Sequence, residues 1–211
     1  MSFSLNQIDE YMSALIVNAS ELLRESEILF ENKAFSRSYT LAHIAREEIA
    51  KCKILYAAGR RLASGIEIDW KLTIKRLRDH QSKLRQETVG NSILAAMLGD
   101  EESFENIIGG ASALSDKRNQ DKNNSLYVGI SPDGKISLPN KVIDRDLSER
   151  NIQLARHAIS EEASFQTKVG KLSEMKMESM PDISSIDGMS SEDMKSMIKN
   201  VAFILAKHTG K

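Results

Sequence analysis

The stretch that decides the fold is RSYTLAHIAREEIAKCKIL, residues 37–55. At 100° per residue its apolar side chains fall on one side of a helix, which is typical of an amphipathic helix packed on a core. Glu48 falls among them, and Glu47 and Lys51 lie just beside that face. An unpartnered buried charge costs several kcal/mol or more, so the pattern predicts that Glu48 has a partner elsewhere in the chain.

The same helical periodicity recurs along most of the chain. The helix that contains the opening stretch has Ser36 as its N-cap candidate and Gly65 just past its end. Three prolines in 211 residues, all outside the periodic segments, leave room for long helices. The predicted helices cover residues 5–30, 35–62, 70–84 with a continuation or restart up to 97, 101–122 and 146–174.

Two segments depart from this pattern. In SLYVGISPDGKISLP, residues 125–139, β-favouring residues flank a Pro-Asp-Gly turn. Residues 175–190 resemble a linker, and residues 191–207 resemble a short helix. Six of the nine methionines lie between 175 and 197. The predicted fold is an all-α bundle over residues 1–174, with a small β-hairpin-like insertion near 125–139, followed by a Met-rich linker and C-terminal helix over 175–211.

The amino-acid composition limits which classes of protein this chain can belong to. The 29 Lys and Arg residues nearly balance 30 Asp and Glu residues, so net charge gives no argument for a nucleic-acid or membrane surface. The single cysteine, Cys52, lies on an apolar helix face, which favours a buried thiol. No apolar run reaches the length of a membrane span and the first residues do not resemble a signal peptide, so we expect a cytoplasmic protein without a membrane partner.

Known metal and nucleotide motifs are missing. Carboxylate-bridged metal sites on bundle helices need Glu-x-x-His pairs, and none of the four histidines has a Glu three residues before it. The sequence also lacks a Cys/His cluster, a phosphate-binding Gly-rich loop and a nucleophile elbow. The sequence therefore predicts no metal and no cofactor.

Metal-free RNA cleavage needs only an imidazole for proton transfer and an arginine for the charge on phosphate. Arg37 and His43 supply one such pair. RNIQLARH supplies another, from Arg150 to His157, which project from the same side of a helix. Coincidence alone produces spacings of this kind, so a solvated Arg and His on a helix flank remains the alternative interpretation.

A polar pocket is the second candidate site. Helical steps continue the apolar face of residues 101–122 to Arg118 and Lys122, either of which could pair with Glu48. Together with Lys51 these groups suit phosphate binding or a structural network equally well. Three further candidates follow from position: Tyr127, just beyond the pocket, and His80 and Lys83, on a helix whose outer surface is basic.

Three quoted segments carry a resemblance to a known family. They are NASELLRESEILFENKAFSRSYTLAHIAREEIAKCKIL (18–55), DHQSK (79–83) and KNNSLYVGISPDGKISLP (122–139). Together they resemble the AbiV-type abortive infection family, a bacterial anti-phage group of the HEPN superfamily. The most specific positions are Ala42, Glu47, Glu48 and Lys51 in the first segment and Lys122, Leu126, Tyr127 and Val128 in the third.

The resemblance implies an α-helical HEPN-like bundle, usually a homodimer, that halts phage multiplication. Many HEPN proteins are metal-independent ribonucleases with an Arg-(four to six residues)-His motif, often with a polar residue after the Arg. Arg150, Asn151 and His157 match that motif. Arg118 and Asn119 begin a similar pattern, but residues 123–125 are Asn, Asn and Ser instead of His.

Two functions follow as expectations. The first is an abortive infection protein that shuts down translation as a metal-independent endoribonuclease, with RNA or the ribosome as target and a phage protein as activator. In it His157 transfers the proton of a ribose 2′-hydroxyl and Arg150 binds the phosphate. The second is a non-catalytic helical dimer that binds a phage or host protein.

Overall fold

The computed structural model describes residues 2–79, 117–130 and 133–174, together with Asp193 and Ser196. Long helices dominate this part of the chain. In chain order the elements are α1 (Leu5–Glu31), α2 (Phe35–Ala63), α3 (Trp70–Arg78), α4 (helical over 117–126), β1 (Gly129–Ile130), β2 (Ile136–Ser137), α5 (Pro139–Val142), α6 (Arg145–Val169) and a 3₁₀ turn (Leu172–Glu174). An all-α bundle with a small hairpin insertion is confirmed.

Side-chain caps fix where the helices begin. The Ser4 hydroxyl accepts from the Gln7 amide in a capping box at α1, and Asp69 accepts from the Leu72 amide at α3. The prediction of Ser36 as the N-cap of α2 is wrong. The chain turns at Lys33, with φ of 61°, and α2 begins directly after Ala34, so Ser36 lies inside the helix.

The core forms where α1 packs against α2 and α6 crosses both helices. Cys52 is fully buried in this core, as its position on an apolar helix face predicts. Its thiol points at the backbone carbonyl of Met12. Burial also raises the pKa of the Cys52 thiol, so the group behaves as a small apolar side chain.

The last long helix ends earlier than the predicted 174. Gly170 follows α6 with φ of 78°, a left-handed conformation that glycine adopts without a steric penalty. Beyond it the Asp9 carboxylate on α1 accepts from the backbone amides of Leu172 and Ser173, both at 3.0 Å. The apolar Leu172 continues the pattern of α6 in sequence but belongs to a separate turn held against α1.

The insertion is an antiparallel hairpin, in which Gly129 pairs with Ser137 and Ile130 with Ile136. It leaves the bundle at the end of α4 and returns to it through α5. The prediction that the third helix continues to 84 is wrong, since α3 ends at Arg78 and Asp79 is extended. The other predicted helical residues between 80 and 116 lie outside the described residues, and so do the predicted linker at 175–190 and the predicted helix at 191–207 apart from Asp193 and Ser196.

Candidate functional site

An ionic cluster lies where α2 meets α4. Its centre is the carboxylate of Glu47, which is only 5 % exposed. Lys122 Nζ on α4 donates to Glu47 Oε1 at 3.2 Å, and His43 Nε2 lies 3.3 Å from the same oxygen. Because His43 and Glu47 are one helical turn apart on α2, the geometry of a single helix places both beside Lys122.

A second set of contacts joins α2 to α6 next to this cluster. The Arg46 guanidinium donates to Asn151 Oδ1 at 2.6 Å, and Asn151 Nδ2 donates to the Tyr39 carbonyl at 2.8 Å. Both side chains are about 95 % or more buried, at 5 % and 3 % exposure. Asn151 therefore uses both ends of its amide to fasten α6 to α2.

Burial shifts the ionisation of the groups around this junction. It raises the pKa of Tyr39 to about 12, with the nearby Asp121 acting in the same direction. Burial also lowers the pKa of His43, against the opposing effect of Glu47, and raises the pKa of Asp121. At neutral pH the junction thus holds a neutral Tyr39 and a neutral His43 between charged neighbours.

Glu48 has partners, as predicted, but the suggested pairing with Arg118 or Lys122 is wrong. Glu48 is 13 % exposed and accepts from Lys51 on its own helix at 2.5 Å, and from Asn18 on α1 at 3.3 Å. Lys122 pairs with Glu47 instead. The two glutamates are consecutive and point about 100° apart around the helix, so Glu47 faces α4 while Glu48 faces α1.

The remaining members of the predicted polar pocket do not gather at one place. Arg118 lies on α4 close enough to Tyr39 to influence its pKa, and Tyr127 is 64 % exposed beyond the end of α4. Lys51 lies on the Glu48 side of α2. The predicted candidates His80 and Lys83 lie outside the described residues.

The predicted catalytic residues divide between the surface and the interior. Arg150 is exposed, and the His157 side chain is 66 % exposed. Asn151 is interior, so it reaches no molecule bound at the surface without a rearrangement of α6. Of the three residues, only Arg150 and His157 lie at the surface.

Arg150 and His157 belong to a continuous stripe on the outer side of α6. The stripe is completed by Leu154, which is 40 % exposed between them, and by Glu161, whose Oε1 lies 3.3 Å from His157 Nε2. These positions follow the spacing of four, three and four residues that places side chains on one helix face. The stripe thus carries a cation, an imidazole and a carboxylate that can orient it.

Several residues of the junction were not predicted as site residues: Tyr39, Arg46 and Asp121. A usable pattern exists on α2, where Ser36, Thr40, His43 and Glu47 form a polar line at helical spacing beside the apolar face. In the parts of the chain that the structure describes, no group of three or more His, Cys, Asp or Glu residues is arranged to hold a metal ion. Nor is any helix there long and apolar enough to cross a membrane.

Comparison with known families gives a match over most of the chain. The family model described as AbiV, of the HEPN type, matches residues 7–160, which include most of α1, all of α2, the junction, the hairpin and the stripe residues from Arg150 to His157. The chain belongs to the AbiV family. Searches of curated proteins and of solved structures gave no match.

Membership in the AbiV family supports part of the expected function. It makes the protein an abortive infection protein of the HEPN superfamily, and the HEPN-like helical bundle agrees with it. Proteins of the HEPN family often form dimers. The AbiV match also covers the junction around Glu47 and every residue of the surface stripe on α6 except Glu161.

Proposed function

We propose that this AbiV-family protein halts translation by cutting RNA without a metal ion, and that it acts as a homodimer with Arg150 and His157 as the reacting groups. The observation that carries the proposal is the exposed stripe on α6, in which both side chains reach solvent and the imidazole contacts Glu161. The target would be a cellular RNA or the ribosome, and a phage protein would serve as activator.

The chemistry needs only these groups. His157 accepts the proton of a ribose 2′-hydroxyl while that oxygen attacks the adjacent phosphorus. Arg150 neutralises the charge that develops on the phosphate oxygens. The bond to the 5′-oxygen breaks and that oxygen takes up a proton from water, so the products are a 2′,3′-cyclic phosphate and a 5′-hydroxyl end.

Asn151 has a different part in this proposal. Its amide is engaged by Arg46 and by the Tyr39 carbonyl, and these bonds hold α6 at one position relative to α2. We assign it as a positioning residue that fixes the orientation of the neighbouring Arg150. It does not contact RNA in this proposal.

The RNA backbone would be held by the basic side of α3. Lys71, Lys75 and Arg78 are exposed on this nine-residue helix, while Leu77 packs into the core. Side chains of this kind bind phosphates irrespective of sequence, with an affinity that falls as salt rises. The cutting specificity would therefore come from other contacts.

Translation in infected cells provides the functional test. Cells that carry wild type, His157→Ala or Gln153→Ala are infected with phage, and incorporation of labelled amino acids is followed. Gln153 is exposed on α6 one turn from His157, beside the stripe, but its side chain cannot transfer a proton, so it is the matched control. Arrest in wild type and in the control, with continued synthesis in His157→Ala, supports the proposal; arrest by a folded His157→Ala protein refutes this assignment.

A second candidate is the non-catalytic dimer that binds a phage or host protein. Its support is the separation of Arg150 and His157. Seven residues that rise about 1.5 Å each place the two about 10 Å apart along the helix axis, which is far for two groups that must act on one phosphate. Salt separates the two functions. RNA engagement weakens steeply as ionic strength increases, whereas an apolar protein contact does not.

A further inference from the structure

The hairpin starts from a firmly held point. On the last turn of α4, Arg37 NH1 donates to the Leu126 carbonyl at 2.9 Å and the Thr40 and Ser125 hydroxyls are 2.7 Å apart. One turn earlier, Lys122 pairs with Glu47. Three polar contacts thus tie the end of α4 to α2, so the residues that follow leave the bundle in a fixed direction.

What the hairpin presents to solvent is apolar. Ile130 and Ile136 are cross-strand neighbours and are 76 % and 71 % exposed. Because side chains alternate along a strand, Val128 and Leu138 lie on the same side of the sheet as these isoleucines. We call this the apolar hairpin face: Val128, Ile130, Ile136 and Leu138, flanked by Tyr127 and Val142, with exposed fractions from 36 % to 76 %.

The size of this face approaches that of a protein interface. Its four side chains and the two flanking ones together leave an apolar surface on the order of 600 Å², which is at the upper end of the apolar patches of monomeric proteins. A standard interface buries about 800 Å² on each partner. A second surface of the same size and character would therefore complete an ordinary dimer contact.

Charge and strand pairing favour an identical copy as the partner. At the tip, Lys135 Nζ lies 2.6 Å from Asp133 Oδ2, so this pair adds no net charge to the hairpin and a second hairpin is not repelled. An uncharged surface gives RNA phosphates no attraction. In the described part of the chain β1 and β2 pair only with each other, so their outer edges are open to another strand.

We infer that the apolar hairpin face is the surface through which two copies of this chain associate around a two-fold axis. The inference rests on the homodimer of the proposed function and names its contact surface. In a two-fold interface the same patch serves both subunits, so Ile130 and Ile136 bury against the corresponding face of the other copy.

The mass of the full chain in solution tests this inference. Sedimentation or light scattering is measured over a range of concentrations for wild type, Ile130→Asp and Ile136→Asp. The matched control is Val17→Asp, an equally apolar side chain that is 60 % exposed on α1. We expect dimers for wild type and control, and dimer dissociation constants at least tenfold higher for the hairpin variants, because each buries a charge in the interface.

A cysteine variant tests the same contact without a charge. Cys52 is the single native cysteine and is fully buried, so Ile130→Cys introduces the accessible thiol. A short bifunctional maleimide should join two Ile130→Cys chains, while Val17→Cys chains stay separate. Circular dichroism melting confirms that each variant is folded.

The outcomes distinguish the levels of the proposal. Dimers that persist in both aspartate variants, with no cross-link at position 130, would overturn the hairpin face and leave the homodimer standing. A wild-type chain that is monomeric at every concentration would overturn the homodimer and this inference together. Neither result depends on whether the protein cuts RNA, which is measured separately.

Discussion

Lys122 Nζ and Glu47 Oε1 lie 3.2 Å apart and join α4 to α2 through a largely buried ion pair. Glu47 is 5 % exposed and Lys122 13 % exposed, and His43 packs against the same carboxylate. The pair lies one turn before the end of α4, from which the hairpin departs. It is therefore a structural element that supports whatever surface the hairpin forms.

Removal of the Glu47 charge should destabilise the bundle. Glu47→Gln takes away the carboxylate that neutralises a buried lysine, a change that costs about 3 kcal/mol in the free energy of unfolding. Urea denaturation measures it. Glu149→Gln is the control, because its pair with Arg145 is exposed and contributes less than about 0.5 kcal/mol. Equal effects of the two substitutions would contradict the structural role of Glu47.

Stability should fall as the pH drops below about 6.5. Burial lowers the pKa of His43 in the folded state, so the unfolded chain binds this proton more readily and gains population at lower pH. The loss begins near the unfolded value of 6.5 and continues down to the folded pKa, with a slope of at most ~1.4 kcal/mol per pH unit. Asp121 and Glu162 have raised pKa values, so they act in the opposite direction at lower pH.

Urea midpoints between about pH 7.5 and 5.5 measure this slope. In His43→Gln the slope should be markedly smaller, since glutamine does not titrate. The control is Gln153→Ala, an exposed position on α6 without a titrating side chain, which should keep the wild-type slope. If His43→Gln and wild type have the same pH dependence, a neutral buried His43 is not its source.

Asn151→Ala should lower the free energy of unfolding by about 1–3 kcal/mol, because the buried Tyr39 carbonyl loses its side-chain donor and Arg46 loses an acceptor. Gln153→Ala, exposed on the same helix, should change it little. As a positioning residue, Asn151 should also affect cleavage: in folded protein, kcat should fall more than KM rises. Unaltered kcat in the folded variant would leave Asn151 with a structural role alone.

Lys75→Ala combined with Arg78→Ala should weaken RNA binding on α3 and flatten its dependence on salt. The slope of log affinity against log salt is negative, and each phosphate contact that is lost reduces its magnitude by about 0.7 for single strands. Fluorescence anisotropy at several salt concentrations measures both. The control is Arg24→Ala with Lys33→Gly, exposed cations near the C-terminal end of α1, whereas α3 packs beside Phe3 at the N-terminal end; glycine suits the positive φ of Lys33. The same loss in the control would show that binding follows total charge instead of the α3 surface.

Periodicity predicted the long helices closely because each has an extended apolar face. Residues 5–30 and 35–62 correspond to α1 and α2 within one residue at either end. The end of α6 was harder to predict, since Leu172 continues the apolar spacing although Gly170 has already ended the helix. The turn that contains Leu172 is held in place by Asp9, which is distant in sequence and accepts from the Leu172 amide.

The junction could be predicted only in part. Helical spacing places Glu47 and Glu48 about 100° apart, but which of them meets a cation depends on where α4 packs. That packing is tertiary information, which one helix does not contain. Asn151 illustrates the same limit: the residue after an arginine matched a catalytic motif, yet the fold turns it inward to Arg46.

The most direct test of the proposed function is cleavage of RNA in the presence of EDTA. Purified wild type, His157→Ala and Gln153→Ala are incubated with total RNA and ribosomes, and the fragment ends are sequenced. The proposal predicts discrete cuts with 5′-hydroxyl and 2′,3′-cyclic phosphate ends from wild type and control, and none from His157→Ala. Identical cuts from folded His157→Ala would contradict the assignment of His157, and no cuts from a wild-type protein that arrests translation would contradict the ribonuclease itself.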